Sequence, residues 1–350
     1  MLKIKFITSV ILFLGFINIT INAQLGDMTS QDSVKLKEEA LTLIFTPEPT
    51  FETYKPTTTD STTLADMGLE QIFVYEPFNI SLRDGGHIFA RKYLKDSETT
   101  IILLHGVLSN SYFFNKMSGL LRDAANAEVI SIDLRGHGQS SGRRGDVDYI
   151  GQYSDDLAEV VTTIREEKPN NKIILAGHSM GGGIILRYAQ RSDLPSVDGY
   201  LLFAPSLGHD APTLPSGETS EVEPFLKIHI NRIVGLYLLN AIGIHEYDSL
   251  NVLFFNQPEG ESLRNYSYRS NMSNAPEYFE DALKAINRPL LVIVGSEDEA
   301  YIAEAYEPAI KKYSQGEVVV INGATHNGVR HDIRSMEAVK LWIKKIEKQN

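Results

Sequence analysis

Lys172-Ile173-Ile174-Leu175-Ala176-Gly177-His178-Ser179-Met180-Gly181 is the stretch whose reading decides the fold. A strand-like apolar run passes directly into Gly-x-Ser-x-Gly, and a helix-like segment follows to about residue 191. A chain that turns so sharply from strand to helix admits only glycine two residues either side of the serine, which leaves the hydroxyl exposed above the sheet. The helix N-terminus just beyond supplies free N–H groups and the positive end of a dipole.

Outward from this elbow the chain alternates apolar runs with amphipathic segments. Strand-like runs are Phe78–Leu82, His87–Leu94, Thr100–His105, Glu128–Leu134, Lys172–His178, Tyr200–Pro205, Pro289–Gly295 and Glu317–Asn322. The first two are joined by Arg83-Asp84-Gly85-Gly86, a hairpin signal. Later runs such as Leu290-Leu291-Val292-Ile293-Val294 are apolar at every position, as strands covered on both faces require. Helix-like segments lie near 112–125, 148–167, 180–191, 301–313 and 331–348. The pattern predicts a mostly parallel eight-stranded sheet flanked by helices. Reactive side chains of such sheets gather at the carboxyl ends of the strands.

Composition narrows the function classes. The 350 residues carry 33 basic and 45 acidic side chains, a net charge of −12. Such a surface repels nucleic-acid phosphates, so no nucleic-acid partner is expected. The chain has no cysteine, which excludes disulfides, thiolate metal sites and a cysteine nucleophile. No His-Glu-x-x-His, EF-hand or Walker sequence is present, and Gly181-Gly182-Gly183 lacks the Lys-Ser/Thr of a phosphate loop. No cofactor and no metal is expected.

Residues 1–23 are laid out as a secretory signal peptide: Lys3 and Lys5, an apolar run from Phe6 to Ile17, and a small residue at Ala23, after which cleavage is expected. The apolar run, about 12 residues, falls short of the roughly 20 needed to span a bilayer, so an anchor is the weaker reading. The expectation is export, to a periplasm or outside the cell. Residues 24–70 read as a partly irregular lead-in with one amphipathic helix over Ser33–Phe45 and a Thr- and Pro-rich continuation. Residues 71–350 read as the catalytic domain. From about 208 to 287 the alternation stops, which marks a helical cap inserted after the sixth strand. Its apolar stretch Ile228–Ile244 reads equally as core packing or as the wall of an acyl channel, with Tyr266, Tyr268, Tyr278 and Phe279 as further wall residues.

A serine hydroxyl needs a base to become a nucleophile. His326 follows the last strand and precedes the final helix, where that base would sit; His331 is the rival. The base needs a carboxylate to hold its tautomer. Asp298, after the Leu290–Gly295 run, is the first candidate, with Glu297 and Glu299 as competitors. The oxyanion hole is assigned to the backbone N–H groups of Met180 and Val107, the latter in the loop His105-Gly106-Val107-Leu108. His105 is expected to brace that loop through its ring. The order Ser179, Asp298, His326 is that of α/β-hydrolases.

The chain resembles the α/β-hydrolase superfamily, in its branch of monoacylglycerol lipases, lysophospholipases and serine aminopeptidase-like (S33) hydrolases. The blocks that carry the resemblance are Leu104-His105-Gly106, Asp133-Leu134-Arg135-Gly136-His137-Gly138-Gln139-Ser140-Ser141-Gly142 and Gly177-His178-Ser179-Met180-Gly181. It extends over about 75–350, with Asp133 and Arg135 fixing loops. One departure is that Asp298 is followed by Glu299-Ala300-Tyr301, where a hydrophobic–Val–Pro continuation is commoner. The resemblance implies a mobile lid and a small acyl ester as substrate, a monoacylglycerol or lysophospholipid, with transient lipid-surface contact through the cap. A peptidase, amidase or thioesterase on the same triad is the alternative, since Glu221, Glu223, Glu246 and Asp248 in the cap could face an ammonium group. A non-catalytic binding protein would need a broken triad.

Overall fold

Each of the eight strand-like runs named above becomes a strand. In the computed structural model, which describes residues 30–52, 61–215 and 225–348, the strands in chain order are β1 (Glu76–Ser81), β2 (His87–Tyr93), β3 (Thr99–Leu104), β4 (Glu128–Ile132), β5 (Lys172–His178), β6 (Gly199–Phe203), β7 (Leu226–Ile228), β8 (Asn251–Phe255), β9 (Asn265–Ser267), β10 (Leu290–Glu297) and β11 (Glu317–Thr325). The signal-like residues 1–23, together with Glu221 and Glu223, lie outside the described residues.

The chain divides into two units. The larger takes its described residues from 61–143, 151–215 and 272–348 and holds an eight-stranded sheet in the order β1-β2-β4-β3-β5-β6-β10-β11. The β1–β2 hairpin and the β2–β4 pair are antiparallel, and every pairing from β4 through to β11 is parallel. Each parallel step is made by a helix, so both sheet faces are covered. That cover is why β3 and β4 are buried at every position and β5 at all but its first. The core joins Ile101, Leu103, Ile174, Phe203 and Ile293 to Trp342 of the last helix, Ile333–Lys348. Each such side chain contributes roughly 1.5–3 kcal/mol by leaving water.

The smaller unit takes its described residues from 30–52, 144–150 and 225–271. Besides the expected helix, Ile230–Ala241, the insertion contains an antiparallel sheet, β7-β8-β9. The lead-in segment 24–70 holds two helices: Ser30–Ile44, close to the expected span, and Ser61–Met67, which the Thr-rich sequence did not suggest. Ser30–Ile44 packs on Ile230–Ala241. A Cβ at Gly235 would lie 2.6 Å from Ile44 and 2.7 Å from the Ala40 carbonyl, so the missing side chain lets the helices close. Arg232 ties them further, donating to the carbonyls of Ile44 (2.9 Å) and Asn251 (2.7 Å) and to Glu48 (2.8 Å). One face of the apolar stretch is therefore packing surface. The segment 144–150 joins the same unit through Asp146, whose carboxylate accepts two bonds from Arg269 and one from the Ser267 hydroxyl. Among the described residues no helix is long and apolar enough to cross a membrane.

Candidate active site

At the end of β5 the backbone takes the turn its glycines allow. Ser179 sits at φ 53°, ψ −119°, a conformation that costs on the order of 1–3 kcal/mol and concentrates at functional positions. A Cβ at Gly177 would lie 2.6 Å from the Gly181 carbonyl carbon, and one at Gly181 would lie 2.5 Å from the Leu104 carbonyl oxygen. Neither position accepts a side chain. Met180 opens the helix Met180–Ala189, so its N–H belongs to the first turn, which has no partner within the helix. Val107 lies in the turn after β3. That turn presses against the elbow, because a Cβ at Gly106 would lie 3.3 Å from the Ser179 Cβ.

Two and three strands away, β10 and β11 deliver the other candidates. Their register runs in step to Gly295↔Ile321 and then jumps to Glu297↔Thr325, so β11 carries extra residues at the site. The jump needs the backbones in contact: a Cβ at Gly295 would lie 2.1 Å from the Ala324 carbonyl oxygen. His326 follows the bulge directly. Its Nδ1 lies 2.9 Å from Asp298 Oδ2, and the Asp298 side chain is wholly buried. The other oxygen, Oδ1, accepts the backbone N–H groups of Ala300 (2.8 Å) and Tyr301 (2.9 Å). Glu299 Oε2 instead accepts the backbone N–H of His326 at 3.0 Å. Asp298 is thus the carboxylate that faces the imidazole.

His178, the variable position inside the elbow, was not singled out by the sequence. Its ring lies 4.5 Å from that of His326, and its Nε2 donates to the His326 carbonyl at 2.9 Å. Burial, with His326 and Arg330 nearby, pushes its pKa well below the ordinary imidazole value, so the ring stays neutral. It links the elbow to the His326 loop. The Tyr301 ring lies 5.4 Å from the His326 ring, completing the cluster.

His331 does not join it. The ring is near Gly68, Glu70 and Lys116, and burial lowers its pKa to about 4. His105 behaves as expected: Nδ1 donates to the Gly106 carbonyl (2.8 Å) and Nε2 accepts the Leu134 N–H (3.0 Å). Burial lowers its pKa to about 4 as well, so it braces the β3 turn as a neutral ring. The turn after β4 is also structural. Asp133 accepts the Ser111 N–H (2.7 Å), the Ser111 hydroxyl (2.5 Å) and the Gln139 N–H (2.7 Å). Arg135 forks onto Asp156 at 2.8 Å through both contacts and pairs with Asp84 at 2.7 Å. Among the described residues no group of three or more His, Asp or Glu side chains could hold a metal ion.

A hydroxyl at one strand end and a carboxylate–imidazole pair at two others form a site suited to acyl transfer. Comparison with known proteins places it in a family. Residues 95–332 match the family described as serine aminopeptidase, S33, more than half of the chain. This chain belongs to that family. It is similar to the monoglyceride lipase of Rattus norvegicus, 28% identical over 229 residues, covering 61% of this chain and 71% of that protein. It is similar also to an uncharacterized hydrolase, YugF, of Bacillus subtilis (strain 168), at 29% identity over 225 residues, covering 61% and 78%. Among solved structures, Est1E from Butyrivibrio proteoclasticus with ferulic acid bound superposes with a TM-score of 0.56 at 21% identity, covering 77% of this chain and 99% of that one. A monoacylglycerol lipase from Paleococcus ferrophilus gives 0.52 at 20% identity, covering 75% and 99%. These two likenesses show the fold, that of α/β-hydrolases. Family and relatives together make the S33-family chain a hydrolase of the esterase and lipase type.

Proposed function

We propose that this hydrolase cleaves carboxylic esters of the monoacylglycerol or lysophospholipid kind through an acyl-enzyme on Ser179. The observation that carries the reading is the buried Asp298 carboxylate 2.9 Å from His326 Nδ1, beside a strained, glycine-flanked Ser179. His326 takes the proton of Ser179 as Oγ attacks the ester carbonyl, then gives it to the leaving alcohol. Asp298 holds the ring with Nδ1 protonated, which leaves Nε2 as the base. The backbone N–H groups of Met180 and Val107 stabilise the oxyanion. Water then enters, His326 acts again as base, and the acid leaves.

The relatives support an acylglycerol as substrate, since the rat protein is a monoglyceride lipase. Transient contact with a lipid surface through the insertion is part of the same proposal, and exposed Phe225 and Ile228 in that unit support it. Export rests on the signal-like residues 1–23.

The test is turnover of monoolein, a lysophosphatidylcholine, a short thioester and an aminoacyl-naphthylamide by the full chain and by Ser179→Ala. The esters are expected to turn over in the parent, with a loss of about 10⁵-fold or more in the variant. Labelling by a fluorophosphonate is expected in the parent alone. Preference for the naphthylamide or thioester would replace the ester reading, and an unlabelled parent would make the fold a binding scaffold.

A further inference from the structure

The family match begins at residue 95, yet a segment well before it reaches the turn that carries His326. Residues 66–73 are tied to the larger unit at successive points. Phe73 exchanges two bonds with the Asn115 side chain, its N–H to Oδ1 at 2.6 Å and Nδ2 to its carbonyl at 2.8 Å. Glu70 pairs with Lys116. Gly68, at φ +73°, ends the helix Ser61–Met67 against His331, where a Cβ would lie 3.1 Å from the ring Nδ1. The Met67 carbonyl accepts from Arg330 at 3.4 Å, and Asp66 Oδ1 accepts the Thr325 hydroxyl.

Thr325 is the point at which that contact matters. The pair Glu297↔Thr325 is the last between β10 and β11, and His326 follows it at once. The Thr325 hydroxyl works in both directions: it accepts the Gly328 N–H at 2.9 Å and donates to Asp66. One side chain thus closes the turn Thr325–Gly328 and fastens it to the helix Ser61–Met67. The turn is held at its far side by Arg330, whose Nε donates to the Asn327 carbonyl at 3.1 Å and whose guanidinium lies 4.7 Å from the Phe114 ring centre. The helix buries no residue, so its bond to Thr325 adds nothing to the core. A misplaced base is another matter, since a shift of about 1 Å at a reacting group costs on the order of 100-fold in rate.

We propose that Asp66 is a positioning residue for His326: through the Thr325 hydroxyl it holds the turn that keeps the imidazole against Asp298, so full activity needs a segment that precedes the family's domain. The inference rests on the reading of His326 as the base in acyl-enzyme chemistry. Asp66 itself touches no reacting atom and moves no proton.

The experiment compares Asp66→Ala, Asp66→Asn, Thr325→Val and the Asp66→Ala/Thr325→Val double variant with the parent, all in the full chain. Turnover of p-nitrophenyl butyrate and the rate of labelling by a fluorophosphonate are both read. Asp66→Ala is expected to lower kcat about tenfold, with KM changed less than about twofold and labelling slowed in proportion, as a shifted base requires. Asp66→Asn keeps an oxygen for the Thr325 hydroxyl, and its kcat is expected within about twofold of the parent. Thr325→Val loses at least as much as Asp66→Ala, because the Gly328 N–H is left without its acceptor as well. In that background Asp66→Ala adds nothing, the signature of a single shared contact. Parental turnover and labelling in Asp66→Ala, a loss in Asp66→Asn equal to that in Asp66→Ala, or additive losses in the double variant each overturn the proposal. When the parent is labelled, those outcomes remove only the role of Asp66. An unlabelled parent removes the acyl-enzyme reading beneath it.

Discussion

Asp133 and Asp298 are both buried carboxylates that follow a parallel strand, yet they are bonded in opposite styles. Asp133 is satisfied by fixed donors, two backbone N–H groups and a hydroxyl, with the Arg91 guanidinium 3.7 Å away. Its turn is sealed further by Gly138, at φ +46°, where a Cβ would lie 1.9 Å from Asp133 Oδ2. Asp298 divides its oxygens: one holds two backbone N–H groups, and the other faces the His326 imidazole. A carboxylate whose donors never change charge can only hold a shape. One that keeps an oxygen for an imidazole can stabilise a charge that forms on the ring during proton transfer. In the proposed mechanism this difference, and not burial, separates the acid that serves His326 from the acid that holds a turn.

The comparison is broken most directly at Asp298. Asp298→Asn keeps the turn acceptor but can hold the wrong tautomer of His326, so kcat on the esters is expected to fall about 10⁴-fold. Its thermal midpoint should stay near that of the parent, and a loss under tenfold would mean that Asp298 is no different from Asp133. Asp133→Asn should show the reverse. Leaving Arg91 buried without its carboxylate, and turning an amide toward N–H donors, costs about 3 kcal/mol of stability by denaturant unfolding. Turnover per folded molecule is expected to stay within about threefold of the parent, since a hydrogen-bond change remote from the reacting atoms does not reach the barrier. Glu299→Gln sharpens the comparison at its finest point. The amide oxygen can still accept the His326 N–H, so kcat is expected to change by less than about twofold. A fall approaching that of Asp298→Asn would transfer the functional acid to Glu299.

Much of the fold is legible because its signals are local. Runs such as Ile101–Leu104 and Leu290–Val294 are apolar at consecutive positions, which a strand covered on both faces requires, and each lies in the parallel sheet. The elbow is legible for the same reason, since the glycines that permit it sit two residues from Ser179. The insertion is less so. Asn251–Phe255 and Asn265–Ser267 are short, and pairing across a gap of that kind depends on partners distant in sequence. The helix Ser61–Met67 carries no apolar stripe and buries no residue, so it leaves no periodic mark. Its Asp66 bonds the Thr325 hydroxyl, one residue before His326, and nothing at position 66 announces that.

By itself the sequence determined the alternation of strands and helices, the serine elbow, and the order in which hydroxyl, acid and imidazole occur. These depend on residues within a few positions of one another, where backbone sterics and periodicity act. Only the tertiary structure decided which of three neighbouring acids faces His326, that Ser30–Ile44 packs on the inserted helix, and that the Tyr301 ring lies against that of His326. Each of those choices turns on a strand register or a contact spanning tens to hundreds of residues, and consecutive side chains at a strand end point to different places.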